Sequence, residues 1–168
     1  MSRRLQRGVT SVEFAIIGLV AMVVLLSVLE FSRLIFVVNT LNEATRRGAR
    51  MATVCPVNDP AIARVTVFNL PGGGSNSPIV DGLSTSNVSV EYLNQTGAVI
   101  CNPVGNFLLI RYVRVSITNL QHTMVIPVFG GTFTLPAYPT TLPRESLGIP
   151  RVGAGPLACC LPMGCAAP

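Results

Sequence analysis

The sequence contains no lysine and no tryptophan, one histidine, and few charges of either sign: 11% of its 168 residues are charged. Without lysine there is no Gly-Lys-Ser/Thr ending to a phosphate loop, so Gly72-Gly73-Gly74 reads as part of an irregular loop (Pro71 to Pro78) and not as a nucleotide cradle. The lone His122 has no partner evident from the sequence and reads as a surface or strand residue. An enzyme would need the fold to gather His122 and acidic side chains in one pocket, and no catalytic constellation is visible. The net charge of +5 is carried entirely by arginine, and it is dispersed. Arg3, Arg4 and Arg7 come first, then Arg33, Arg46, Arg47 and Arg50, then Arg111 and Arg114. Nucleic-acid binding calls for a continuous basic face with aromatic or polar readers, and that partner is set aside. Proline is also missing before Pro56, so nothing breaks a helix in the first third of the chain.

What is present there is an apolar run. Val9 to Leu29 holds one charge, Glu13. At 1.5 Å per residue it makes about 30 Å of helix, enough to cross the hydrocarbon core of a bilayer. The pattern then becomes one-sided. Phe31, Leu34, Ile35, Val38 and Leu41 recur at helical spacing, with Ser32, Arg33, Asn39, Glu43, Arg46 and Arg47 between them. Glu30 stands three residues before Arg33, as an interfacial partner in preference to a second buried carboxylate. Ala44, Gly48, Ala49 and Ala52 then gather small side chains. One helix over 9–52 is predicted, all-round apolar first and amphipathic later.

Cys55, Pro56, Asn58, Asp59 and Pro60 end it. Ala61 to Leu70 is ambiguous between a short helix and a strand. Strands are predicted over Asn87–Leu93, Ala98–Cys101, Phe107–Asn119, Thr123–Phe129 and Thr132–Leu135, with Gly130-Gly131 as a turn. In Phe107–Asn119, Val113, Val115 and Ile117 alternate with Arg114, Ser116 and Thr118, the period of a half-buried strand. From Pro136 the chain reads as irregular. All five cysteines follow the apolar run, so a membrane anchor would put them on one side, where an oxidising compartment permits disulfides. A Cys55–Cys101 bridge is the favoured pairing, tying the helix end to the globular part. Cys159, Cys160 and Cys165 lack the usual zinc spacing, so no metal is assigned.

The most informative stretch is Arg7-Gly8-Val9-Thr10-Ser11-Val12-Glu13-Phe14. A basic leader ends in glycine, an apolar helix starts at once, and a carboxylate interrupts it. Near the centre of a bilayer such a group costs about 2.5–3.5 kcal/mol, so its presence asks for a partner. This junction resembles the processing site of type IV-like prepilins. The resemblance implies cleavage between Gly8 and Val9 by a membrane-embedded prepilin peptidase, with Glu13 fifth in the mature chain. In a bundle of staggered helices, Glu13 would meet the new α-amino group of a neighbour. Glu13-Phe14 is similar to the glutamate-aromatic pair of tight-adherence (Flp) pilus subunits. TSVEFAII, then LEFSR and the polar helix to Ala52, look like the TadE family of pseudopilins, with a fainter likeness at Arg144-Glu145.

The resemblance implies a minor pilin or pseudopilin with no cofactor and no enzymatic activity. Its partners would be the peptidase, other pilin or pseudopilin subunits, the inner-membrane assembly platform and membrane lipid. The expected fold is α+β, pilin-like: a long N-terminal helix and a small antiparallel β-rich domain. The expected divisions are a leader (1–8), the helix (9–52, span about 9–29), an extracytoplasmic β-rich domain (53–145) and a tail (146–168). Arg3, Arg4 and Arg7 would hold the leader in the cytoplasm of a bacterial inner membrane, although the arginines from Arg33 to Arg50 balance them by count. A plain, unprocessed single-pass anchor carrying an extracytoplasmic binding domain is the competing reading. A cleaved signal peptide fits less well, because the core is long, contains Glu13 and lacks a small-x-small site after Leu29.

Overall fold

A computed structural model describes residues 6–124 and 131–149. One helix, α1 (Gln6–Val54), leads the chain with 49 residues, about 74 Å at helical rise. After it come α2 (Pro60–Thr66), β1 (Val88–Leu93), β2 (Tyr112–Ile117), β3 (Gln121–Thr123), β4 (Thr132–Thr134) and β5 (Tyr138–Pro143). The class is α+β, with an antiparallel sheet ordered β1-β2-β5 and a separate β3–β4 hairpin.

The domain packs only on the C-terminal half of α1. Leu41, Ala44, Ala49 and Ala52 have no exposed surface. One cluster joins Ala49, Ala52 and Cys55 to Ile62, Tyr92, Val113 and Val115. A second, further toward the N-terminus of α1, joins Leu41 and Ala44 to Val67, Leu83, Ile117, Leu120 and Leu135. The small residues let other chain segments approach the helix closely. A Cβ on Gly48 would collide with the Thr66 side chain of α2. Of the predicted apolar stripe, Leu41 is buried, Leu34 and Val38 are half-buried, and Phe31 and Ile35 are exposed. The domain reaches only part of that face.

The end of α1 is tied down by backbone. Thr53 O accepts from the N–H groups of Glu145 (3.3 Å) and Leu147 (3.1 Å), and Val54 O accepts from Gly148 N (2.7 Å). These satisfy carbonyls that a helix terminus leaves without internal donors. Gly148 meets two demands there, a φ of +80° and close approach to Pro56. Asp59 and Pro60 both end one helix and begin the next. Asp59 Oδ1 accepts from Ala61 N at 2.8 Å as the N-cap of α2, and Pro60 occupies the first turn. The ambiguous stretch Ala61 to Leu70 is therefore helical as far as Thr66 and turns out of the helix after it.

The strand predictions need several corrections. Val113, Val115 and Ile117 point into the core as their alternation predicted, while Arg114 pairs with Glu91 on the other face at 3.3 Å. The long third candidate splits, because Phe107–Leu109 is a 3-10 turn and only Tyr112–Ile117 is strand. Ala98–Cys101 forms no strand and contributes one bridge, Leu93 to Val99. Of the Thr123–Phe129 candidate, Thr123 ends β3 (Gln121–Thr123) and Met124 is not in strand; 125–129 and Gly130 lie outside the described residues. The stretch after Pro136, read as irregular, contains β5. Its prolines are tolerated because β5 is an edge strand, where a missing N–H can face away from the ladder.

Candidate functional site

Two places along α1 concentrate the chemistry. The first is its beginning. Arg7, Gly8 and Val9 have helical backbone, while Arg3 and Arg4 lie outside the described residues. Glu13 is exposed on the next turn, and Phe14 is 78% exposed. From Thr10 to Leu29 every residue is exposed except Gly18, which is half-buried and has nothing within 4 Å of where a Cβ would stand. Among the described residues, none of the domain covers the most apolar stretch. Among the described residues, none makes an ion pair with the Glu13 carboxylate. A helix long and apolar enough to cross a membrane thus presents a carboxylate near its start, with its surface free for lipid or other helices.

The second place is Glu30, at the end of the apolar run. It is 9% exposed and meets two nitrogen-bearing side chains, an arginine and a histidine, from different parts of the chain. Arg33 Nη1 donates to Oε1 at 3.2 Å and reaches Oε2 at 3.3 Å. His122 Nε2, on β3, lies 3.4 Å from Oε1. That last contact is within ion-pair distance, yet the ring nitrogen is not aimed for a hydrogen bond. It therefore counts as a contact at electrostatic range only. The imidazole stacks edge-on against Phe133 of β4 with ring centroids 5.3 Å apart. A buried carboxylate is tolerated only when paired, and here one element of the domain supplies part of the pairing.

The Glu30–Arg33 contact agrees with the interfacial pairing read from their spacing, but the carboxylate is also buried. His122 is the strand residue of the two readings offered, on β3, and not the surface one, since it is 7% exposed inside the hairpin. No local pattern marks Glu30 and His122 as neighbours, 92 positions apart. The available signal was that a carboxylate closing an apolar run needs counter-charge. The pair does bring a histidine and an acid together, the condition set for an enzymatic reading. It does not make a nucleophilic site, because the nearby Ser27 hydroxyl is engaged by Val23 O at 2.7 Å.

The predicted Cys55–Cys101 bridge is not present. Cys55 is buried in the core at the end of α1, whereas Cys101 is exposed in the loop after β1. What ties the helix end to the domain instead is backbone hydrogen bonding from 145–148, together with Tyr92. The Tyr92 hydroxyl accepts from Asn58 N at 2.9 Å. Burial pushes the Tyr92 phenol above its ordinary 10.0; the Asn58 N–H works against this, and the nearby Cys55 and Asp59 add to it. Cys159, Cys160 and Cys165 lie outside the described residues.

Residues 8–50 match the model of a family described as TadE-like protein. The match begins at Gly8 and lies wholly within α1, about a quarter of the chain. No curated protein and no solved structure matches the chain. Over residues 8–50 the chain is similar to TadE-like proteins, where the resemblance in the sequence was read, and that stretch lies on a helix long and apolar enough to cross a membrane.

Proposed function

We propose that this chain is a minor pilin or pseudopilin of a tight-adherence (Flp) type IV pilus, released from its leader by a prepilin peptidase cutting between Gly8 and Val9. The observation that carries the reading is a TadE-like helix whose first half is bare of its own domain and displays one carboxylate, Glu13, one turn after the cut. Arg3, Arg4 and Arg7 keep the leader (1–8) on the cytoplasmic side. The span of about 9–29 holds the precursor in the inner membrane, where the assembly platform and sister subunits meet it. Cleavage creates a cation on Val9, and Glu13 of one subunit takes the amine of the next. Phe14 packs beside it at the same seam. The domain (53–145) stays extracytoplasmic and primes, caps or decorates the filament, followed by the tail (146–168). The role is structural, so work on the subunit must come from a separate motor.

Mass spectrometry of the membrane-fraction protein from cells with an active prepilin peptidase tests this. A chain starting at Val9 is expected. An intact N-terminus refutes the processing step and leaves the plain anchored binding domain. Glu13→Ala is expected to insert normally yet be depleted from sheared filaments; equal recovery with wild type refutes the seam.

A further inference from the structure

The β3–β4 hairpin runs alongside α1 in a definite direction. Leu120, just before β3, shares a core with Leu41, Leu34 and Val37. His122 reaches Glu30, and Met124 lines a groove with Ser27 and Phe31. Each step along β3 therefore moves toward the N-terminus of α1. Met124, just after β3, thus stands at the level of the last turn of the apolar run.

There, α1 and the hairpin enclose an open groove of about 220 Å³. Phe31, Leu34, Met124 and Phe133 line it, and Glu30 with His122 closes its polar end. Phe31 is 64% exposed, and Met124 and Phe133 are only half-buried. The groove is continuous with the uncovered apolar surface of α1, since Ser27 belongs to both. The run from Val9 to Leu29 is about 30 Å long and matches the hydrocarbon core with nothing to spare, so a spanning helix cannot lift the groove clear of the bilayer.

We propose that the groove between α1 and the β3–β4 hairpin is a lipid site, taking an acyl chain from the leaflet on the domain's side of the membrane. This rests on the membrane reading of α1 and adds a second contact, one that holds the domain against the bilayer surface. Glu30 borders lipid without an open charge because Arg33 and His122 flank it. The acyl chain covers Phe31, Met124 and Phe133, which the protein leaves part-open.

The absence of native tryptophan allows a direct test with single-tryptophan variants of the full chain in vesicles of acyl-brominated phosphatidylcholine. Phe133→Trp reports on the groove, Val20→Trp on the span, and Leu108→Trp on an exposed site elsewhere in the domain. Because a site at the headgroup–acyl boundary lies about 5–10 Å into lipid, quenching of Phe133→Trp should exceed that of Leu108→Trp at least about twofold. Equal quenching of those two, with Val20→Trp strongly quenched, overturns the groove proposal alone. Failure to quench Val20→Trp overturns the membrane reading itself. Quenching of Phe133→Trp that is absent at dense protein packing and emerges only on dilution assigns the groove to a second copy and also overturns the proposal. Should Phe133→Trp misfold, Met124→Trp probes the same groove with the same expected outcome.

Discussion

Replacing Gly48 by alanine sets two effects of opposite sign against each other. In a helix interior alanine is favoured over glycine by about 1 kcal/mol, so an unobstructed site would gain stability. Here the new Cβ meets the Oγ1, Cβ and Cγ2 atoms of Thr66, which has no exposed surface of its own. Turning the Thr66 side chain brings another of its atoms into the same space. It also breaks the bond from Thr66 Oγ1 to Ile62 O at 2.7 Å. Overpacking of this kind costs about 1–3 kcal/mol, and the lost hydrogen bond about 1 kcal/mol. Against a gain of about 1 kcal/mol, Gly48→Ala should destabilise the domain by about 1–3 kcal/mol. In a Thr66→Ala background the obstruction is gone, and the same change should stabilise by up to about 1 kcal/mol. Urea unfolding of the full chain in detergent micelles, followed by near-ultraviolet circular dichroism, measures all four corners of the cycle. Stabilisation by Gly48→Ala in both backgrounds would refute the close approach of α2 to α1.

Two further outcomes follow from burial. Arg33→Ala should cost about 1–3 kcal/mol because it takes the Arg33 donor away from the buried Glu30 carboxylate, whereas Glu30→Ala should cost less because it removes that carboxylate and frees Arg33. The Arg33 side chain is 51% exposed and can turn to water. Equal losses in the same unfolding assay would contradict the burial of the Glu30 carboxylate. Tyr92, whose pKa is raised in the folded state, lends stability that is complete below its ordinary 10.0 and is lost as pH rises through the higher folded value. Tyr92→Phe should therefore flatten the fall in stability above about pH 10, at the expense of the Asn58 hydrogen bond; an unchanged alkaline profile would exclude Tyr92 as its source.

The helix was legible in the sequence because its signals are local and repeated. An apolar run, then a stripe at steps of three and four, then small residues leave one interpretation over some forty positions. Asp59-Pro60 and the alternation around Val113 were legible for the same reason. β5 was not. Tyr138 to Pro143 carries two prolines, and only the sheet order, which puts it at an edge against β2, makes that composition compatible with a strand. Ala98–Cys101 failed in the opposite way: apolar residues mimicked a strand where the ladder supplies one bridge. The Cys55–Cys101 pairing rested on the need to tie the helix end to the globular part, and that need carries no geometry. In the candidate site, Gly8, Val9, Glu13 and Phe14 are adjacent in sequence and could be read together. Glu30 and His122 come together only through the packing of the hairpin.

That packing makes two independent boundaries fall together. Composition ends the apolar run at Leu29. Burial, which depends on where the domain sits and not on composition, first sets in at Glu30. A soluble protein using α1 as a core helix would cover its most apolar half first, since that half returns the most free energy per residue. The domain instead covers the amphipathic half and leaves the apolar half bare. It closes the border with a carboxylate held between Arg33 and His122. The bare half is thus left for a surrounding that is itself apolar. A domain displaced two turns toward the N-terminus would bury more hydrocarbon, but it would strand Glu30 without His122 and push the hairpin into the span. The position of the hairpin on α1 follows from that one charge and its two partners.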